Sequence, residues 1–311
     1  MKRIFYVFVS FLILNFVPVN AKTLTIISAS PQGVPFNNVK LISTYIKQYD
    51  ETVDNVIIKV IPGAGGVNSA NYIYNVADKD GYTIGTFQKN AVLRSLIAKK
   101  NIKYDPLKFT WLGSSSDGRI DSTILAVSKP YDGNLNVGEL NPNGSIVNLI
   151  PKITGWNIKM ISGYPNKPAM KLAFEKKEID GYLISIYAHP DRNNIVAAFQ
   201  LSRYRSPLMK TVPTLRELVK DNNNLALVEL IETSTILSRP FVAPPNIPEE
   251  RKTKLRQMFN SIMSDKDYIT KAEKLQINVS LVDWKESEDI IKKMQSTDKK
   301  LIKELVSSSP R

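Results

Sequence analysis

Short apolar runs alternate with amphipathic segments over the first third of the chain. The runs at 24–27, 56–61 and 82–87 are bounded by turn-forming residues and predict strands. Between the second and third runs, apolar residues recur at helical spacing from Val67 to Ala77. Strands that alternate with helices build a parallel sheet with helices on its faces. The pattern therefore predicts an α/β fold.

The same pattern restarts in the middle of the chain. Strands are predicted at 157–161 and 182–186, on either side of a helix at 167–176. A short proline-bracketed strand at 241–243 then precedes a helix-rich end. No repeat, low-complexity tract or flexible linker separates the two series, so the chain must cross between them by short segments. This organisation indicates two lobes around a cleft.

The N-terminus has the three parts of a secretory signal peptide. Lys2 and Arg3 precede an apolar run from Ile4 to Val17, and Val19-Asn20-Ala21 offers small residues for cleavage. A retained membrane anchor is the alternative, but the run is shorter than the ~20 residues that a spanning helix needs. We therefore expect residues 1–21 to be a cleaved signal and the mature chain to be periplasmic.

The 311-residue chain carries a formal net charge of +13 and contains no cysteine. The absence of cysteine excludes both a disulfide framework and a thiolate metal site. Predicted export argues against a nucleic-acid partner, and the lysines are scattered among acidic residues instead of forming a long basic run. A basic exported protein attracts anionic solutes through its long-range field, although a lysine-rich solvated surface gives the same composition.

A glycine-rich turn, Pro62-Gly63-Ala64-Gly65-Gly66, joins the second predicted strand to the following helix. Such a turn aims main-chain N–H groups at one point, where an anion can bind. It is not a dinucleotide fingerprint, because Asn68 stands at the third glycine position and no acidic residue ends a strand about 20 residues later. A purely structural tight turn remains the alternative.

The sequence predicts no catalytic centre and no metal or cofactor site. The serines at 114–116 lack the closing glycine of a nucleophile elbow. His189 is the only histidine, and it precedes Pro190 in a loop with no serine placed to be its partner. One histidine without cysteine also argues against a transition-metal site.

Two side chains near the second series of strands have both a ligand-binding and a structural interpretation. Asp180 precedes the strand at 182–186, where its carboxylate either reaches the cleft or caps a turn. Tyr164 follows the strand at 157–161, where its hydroxyl either donates to a ligand or its ring packs in a half-buried position. Both alternatives stay open.

Several blocks in this order resemble the extracytoplasmic solute receptors of tripartite tricarboxylate transporters, also called Bug receptors. The most specific are the glycine turn at 62–66 and Asp80-Gly81-Tyr82-Thr83. Weaker matches follow at Tyr104-Asp105-Pro106-Leu107-Lys108, Gly163-Tyr164-Pro165, Ile179-Asp180-Gly181, Val212-Pro213-Thr214-Leu215 and Arg239-Pro240-Phe241-Val242-Ala243-Pro244-Pro245. The resemblance covers most of the mature chain.

This resemblance implies a two-lobed, type II-like Venus-flytrap binding protein with a mostly parallel sheet in each lobe. Lobe 1 would span 22–122, completed by about 237–311, and lobe 2 would span 123–236. The protein would be a monomer that binds a small organic acid without cofactor and delivers it to the membrane permease of a tripartite transporter. Taken by position, the implied ligand-binding residues are Ser28, Ser30, Gln32, Gly33, Gly65, Gly66, Asn68, Thr86, Gln88, Ser115, Tyr164 and Ser185. Asp180, the acidic candidate described above, completes the predicted site.

The chain departs from the family pattern in two places. The family's first-strand loop is richer in glycine and ends in a Thr-Asp pair, whereas Gln32, Pro35 and Phe36 occupy this region here. The second lobe also looks shortened between Val127 and Gly144. An exported enzyme that acts on a carboxylate or sugar, with an acid pair including Asp180, and a structural envelope protein are the rival classes.

Overall fold

The computed structural model describes residues 21–97, 101–120, 122–128, 134–140, 146–164, 167–189 and 196–302. Apart from Ala21, the predicted signal peptide lies outside these residues. Among the described helices, none is both long and apolar enough to cross a membrane.

The described residues form eleven strands and ten α-helices. The strands are β1 (Thr23–Ser28), β2 (Asn55–Val60), β3 (Thr83–Thr86), β4 (Thr110–Ser114), β5 (Thr123–Val127), β6 (Asn134–Glu139), β7 (Asn157–Ser162), β8 (Gly181–Ser185), β9 (Ala197–Leu201), β10 (Pro240–Ala243) and β11 (Val282–Asp283). The helices are α1 (Gly33–Ser43), α2 (Ile46–Tyr49), α3 (Val67–Asn75), α4 (Asn90–Ile97), α5 (Ile150–Thr154), α6 (Lys167–Glu175), α7 (Leu225–Ile236), α8 (Glu249–Ser264), α9 (Lys266–Lys274) and α10 (Trp284–Gln295).

The strands form two sheets, which confirms the predicted two-lobed α/β fold. The first sheet has the order β11-β4-β10-β3-β1-β2, and the second has the order β7-β6-β8-β5-β9. All strands of the second sheet come from one continuous stretch, whereas β10 and β11 return to the first sheet from the C-terminal part of the chain. The lobe boundaries at 122 and 237 stay a prediction.

Both sheets are mixed, and most strands of each run in one direction, as predicted: β1 to β4 in the first sheet and β6 to β9 in the second. In the first sheet β1 pairs in parallel with β2 and β3, but β10 is antiparallel to both β3 and β4. In the second sheet β5 is antiparallel to β8 and β9. The reason is the route of the chain: Pro240 pairs with Ser114 and Thr123 with Ser185, so each crossing strand enters at the carboxyl end of its neighbour and must run antiparallel to it.

The region between Val127 and Gly144 contains a strand that the sequence analysis missed. Strand β6 lies in parallel between β7 and β8. Its sequence alternates, with Asn134 and Asn136 exposed and Leu135 and Val137 buried. Together with α5 and β7, this strand forms a βαβ unit in the second lobe.

The Asp80-Gly81-Tyr82-Thr83 block lies at the amino end of β3, opposite to the end where Thr86 stands. Gly81 has φ +80°, and a Cβ there would lie 2.5 Å from Cβ of Arg251 on α8. The Arg251 guanidinium donates to the Gly81 carbonyl oxygen at 3.2 Å and lies 4.1 Å from the centre of the Tyr82 ring. The block therefore anchors α8 to the first sheet.

Candidate functional site

Polar residues end three strands of the first sheet on the same edge. Ser28 ends β1, Thr86 ends β3 and Ser114 ends β4, and all three are buried. The carboxyl ends of parallel strands are the usual place for ligands in open α/β sheets. Arg239 also lies on this edge, because it directly precedes β10.

A small cavity of about 40 Å³ lies at this edge. Four of the predicted ligand-binding residues line it: Ser28, Ser30, Thr86 and Gln88. The other lining residues are Ala29, Pro35, Asn38, Phe87, Ser238 and Arg239. The cavity is far smaller than the roughly 300–1,000 Å³ of a typical small-molecule pocket. The arrangement seen here is therefore more closed than the one that an organic acid must enter.

The loop between β1 and α1 carries the first of these residues. The Ser28 hydroxyl donates to the Ser30 carbonyl oxygen at 2.8 Å, which folds the loop back at the strand end. Gln32 and Gly33 follow at the start of α1 and are exposed, so the structure places them on the same loop but outside the cavity lining. Pro35 lines the cavity and has no N–H to offer, which leaves fewer main-chain donors at this helix start.

A buried hydrogen-bonded chain fixes the wall behind the cavity. The Tyr268 hydroxyl donates to Asn38 Oδ1 at 2.9 Å, and Asn38 Nδ2 donates to Ser115 Oγ at 2.9 Å. Burial raises the pKa of the Tyr268 hydroxyl above its ordinary value, so it keeps its proton and can only point it at the amide oxygen. Ser115, a predicted ligand-binding residue, therefore holds Asn38 in place and does not itself line the cavity.

The two segments that connect the sheets, 115–120 and 237–239, run side by side next to the cavity; we call them the hinge segments. Ser115 N–H donates to the Arg239 carbonyl oxygen at 3.0 Å, and Ser238 N–H donates to the Ser116 carbonyl oxygen at 3.2 Å. Gly118 has φ +71°, and a Cβ there would lie 2.4 Å from the Thr235 carbonyl oxygen. The segments are thus packed as closely as main chains allow.

The glycine turn supports the cavity from outside. Gly66 N–H donates to the Gly63 carbonyl oxygen at 3.0 Å, and Asn68 Nδ2 donates to the Pro62 carbonyl oxygen at 3.0 Å, so these donors hold the turn itself together. Gly66 has φ +88°, and a Cβ there would lie 2.5 Å from the Gln88 main-chain nitrogen. Gly65 lies against the Arg94 guanidinium, 3.3 Å from where its Cβ would be. The turn thereby sets the position of the Thr86–Gln88 loop.

The second lobe approaches this edge through β5 and β8. Ser185, the last residue of β8, pairs with Thr123, the first residue of β5. Lys89 reaches across from the loop after β3, and its Nζ donates to Thr123 Oγ1 at 3.0 Å. This contact joins the loop after β3, which lines the cavity through Phe87 and Gln88, directly to the second lobe.

Asp180 and Tyr164 lie apart from the cavity lining. Asp180 stands at the amino end of β8, five residues from Ser185 and so about 16 Å away along an extended strand. Its Oδ2 accepts from Asn136 N–H at 2.7 Å and from Asn136 Nδ2 at 3.1 Å, an arrangement that ties β6 to β8. Tyr164 is half-buried and packs against the apolar cluster of the second lobe. The half-buried packing of Tyr164 matches its structural alternative, whereas the Asp180 carboxylate makes a contact between strands that neither of its alternatives described.

Four polar residues of the site were missed from the sequence. Asn38, Ser238 and Arg239 line the cavity, and Lys89 bridges the lobes. A signal existed for Asn38, which directly precedes Val39, the first of three apolar residues at helical spacing with Ile42 and Ile46. Arg239 also had one, as an arginine placed before a proline-bracketed strand. Lys89 carries no sequence signal that separates it from the many surface lysines. In the described part of the chain, no group of three or more His, Asp or Glu residues is arranged to hold a metal ion.

Comparisons with solved structures identify the fold. A TctC solute-binding protein from Polaromonas superposes with a TM-score of 0.66 at 16% identity, covering 92% of this chain and 99% of that one. MatC from Rhodopseudomonas palustris with bound malate gives 0.59 at 18% identity, covering 94% and 100%. An R. palustris protein with adipate gives 0.62 at 13% identity, covering 93% and 98%.

No family model matches the sequence, and no curated protein matches it either. At these identities the structural similarity establishes the fold, which is that of the TctC and Bug-type solute-binding proteins. That agrees with the resemblance seen in the short sequence blocks.

Proposed function

We propose that this protein is an extracytoplasmic solute receptor that binds a small organic acid between its lobes. The observation that carries the proposal is the buried polar edge, where Ser28, Thr86, Asn38 and Arg239 converge on one cavity beside the hinge segments. Two proteins of the same fold were determined with malate and with adipate. Both of those ligands are dicarboxylates, and hydroxyl, amide, guanidinium and main-chain N–H donors suit a carboxylate.

Binding would be non-covalent and coupled to closure. The lobes would move about the hinge segments, and closure around the acid would exclude water from the charge-assisted hydrogen bonds. A ligand drives closure only if it binds the closed state more tightly than the open one. Contacts from both lobes would provide that difference. The cavity lining comes from the first lobe, and the Lys89–Thr123 bond shows where the second lobe lies nearest to it.

The wider setting follows from the same proposal. The receptor acts in the periplasm as a monomer and delivers its acid to the membrane permease of a tripartite tricarboxylate-type transporter. No chemical step is part of this function, in keeping with structural neighbours that are described as solute-binding proteins. Of the residues predicted to bind the ligand, Ser28, Ser30, Thr86 and Gln88 are retained as direct contacts, and Ser185 as a second-lobe contact.

A thermal-shift screen of the mature protein against mono-, di- and tricarboxylates tests the function. A cognate acid at about 100 times its dissociation constant should add about 2.7 kcal/mol to the free energy of unfolding. The rise in melting temperature should increase further with ligand concentration, because the effect follows mass action. If none of these acids raises the melting temperature, the receptor proposal is wrong.

The Lys89–Thr123 bond should contribute to affinity more than to stability. We expect Lys89→Met and Thr123→Val each to weaken binding of the acid found in the screen about threefold to tenfold, since each removes one charged hydrogen bond that is only partly shielded from water. A double-mutant cycle measured by titration calorimetry should show coupling between the two positions. Additive effects of the two substitutions would show that the bond does not contribute to closure.

A further inference from the structure

Arg239 occupies a position that connects the cavity to the hinge. Its side chain lines the cavity and is only 7% exposed. Guanidinium Nη1 donates to the Asn278 carbonyl oxygen at 2.7 Å, on the segment between α9 and β11. The main-chain N–H of Arg239 donates to Ser114 Oγ at 3.0 Å, where β4 ends. One residue therefore belongs to the cavity wall and to a hinge segment together.

Hydrogen bonds link the surroundings of Arg239 to the other hinge segment. Asn278 Nδ2 reaches Ser116 Oγ at 3.5 Å, and Ser280 N–H donates to the Ser115 carbonyl oxygen at 3.1 Å. The segment that holds the guanidinium is thus bonded to the other hinge segment as well. A shift of the Arg239 side chain would displace both hinge segments. Buried polar contacts of this kind change between discrete packing arrangements and do not stretch continuously.

We propose that Arg239 binds the carboxylate of the ligand and couples this binding to closure of the hinge, an inference that rests on the proposed receptor function. A guanidinium is permanently charged and presents a planar fork that matches a carboxylate with two parallel hydrogen bonds. In a cavity shielded from water such bonds are stronger than at the surface. The site would therefore select an anionic acid and reject its neutral amide, since the amide offers no charge to the buried guanidinium.

The test compares the unaltered mature chain with Arg239→Gln and Arg239→Lys, using malate and its neutral diamide as probes. Titration calorimetry should show that Arg239→Gln weakens malate binding by about 10- to 150-fold, the range expected for lost hydrogen bonds to a charged group. The preference for malate over the diamide should fall with it. Arg239→Lys keeps the charge but lacks the planar fork, so its affinity for malate should lie between those of the unaltered chain and Arg239→Gln. Arg205→Gln, at an exposed ion pair with Glu217, is the matched control and should bind as the unaltered chain does.

Closure is followed by small-angle X-ray scattering. Saturating malate should reduce the radius of gyration of the unaltered chain and of Arg205→Gln, but not that of Arg239→Gln. The inference is overturned if Arg239→Gln binds malate within about threefold of the unaltered chain, keeps its preference over the diamide, or closes fully at saturation. If Arg239→Gln does not fold, the malate-to-diamide ratio of Arg239→Lys decides in the same way. Failure of every carboxylate to bind the unaltered chain would overturn the receptor function itself.

Discussion

Replacing Arg251 by methionine should lower the free energy of unfolding by about 3–5 kcal/mol, because it removes the close partner of the buried Asp50 carboxylate and leaves only Lys254 Nζ, 3.9 Å away. The Asp50 carboxylate is fully buried, and Arg251 Nη2 lies 2.9 Å from its Oδ2. Arg251 also donates from Nη1 to Thr52 Oγ1 at 2.9 Å. Methionine keeps part of the apolar stem over the Tyr82 ring, so the lost stability comes mainly from the missing charge. Urea unfolding at neutral pH measures this change in the free energy of unfolding.

Two variants separate the ion pair from a general effect on α8. Lys252→Ala removes an exposed pair with Glu249 on the same helix and should cost about 0.5 kcal/mol or less. The double variant Asp50→Asn with Arg251→Met should be more stable than Arg251→Met alone, because the unpaired charge is gone. A loss below about 1 kcal/mol for Arg251→Met would contradict this account of the cluster.

The effect of Arg251→Met should also depend on pH. Burial by itself raises the pKa of Asp50, but hydrogen bonds from Arg251 and Thr52 outweigh it and hold the pKa below its ordinary value. The pair therefore stabilises the fold fully above the unfolded-state pKa of about 3.9 and loses its effect as the pH falls through the lower folded-state value. Without Arg251, burial favours the protonated form, so acid relieves the variant. The stability difference should be largest at pH 7 and shrink toward about pH 3.5.

The sequence predicted the βαβ order of the first lobe because each of its elements has a clear period. The apolar runs that became β1 and β3 are largely buried, and β2 alternates between exposed and half-buried positions. A periodic apolar pattern records which positions face the core. The direction of β5 and β10 was not predictable in the same way. An antiparallel strand and a parallel one carry the same local pattern, and only the path of the chain between lobes decides between them.

The candidate site was predicted in part for a similar reason. Ser28 and Thr86 could be assigned from their positions in the family's loops, and both lie near the carboxyl ends of predicted strands, which meet at one edge of the sheet. Arg239 joins that edge from more than 120 residues further along the chain, through an antiparallel strand. Asp180 was chosen for its chemistry, yet it stands at the far end of its strand and is occupied by Asn136. Residue type suggests a role, but strand direction decides which end reaches the cleft.

A substitution in the glycine turn should have the second large effect, because the turn positions a loop of the cavity although it does not line the cavity itself. Gly66→Ala forces an L-residue into the left-handed region, at about 1–2 kcal/mol, and also pushes the new Cβ against the Gln88 main chain. The Thr86–Gln88 loop must then move. Since a hydrogen bond to a charged group contributes about 1.5–3 kcal/mol, losing one from this loop should lower affinity for the acid by about ten- to a hundredfold.

Gly155→Ala is the matched control for this substitution. Gly155 has φ +72° at the end of α5, and its Cβ would meet only the flexible end of the Lys220 side chain, at 3.2 Å. In urea unfolding, Gly155→Ala should lower the free energy of unfolding by about 1–2 kcal/mol, the same cost of a left-handed L-residue. It should leave the affinity for the acid unchanged. If Gly66→Ala and Gly155→Ala lose the same stability and both bind normally, the glycine turn is a local structural turn and does not position the binding loop. If only Gly66→Ala loses affinity, the turn acts on the ligand through Gln88, by fixing where the polar edge of β3 ends.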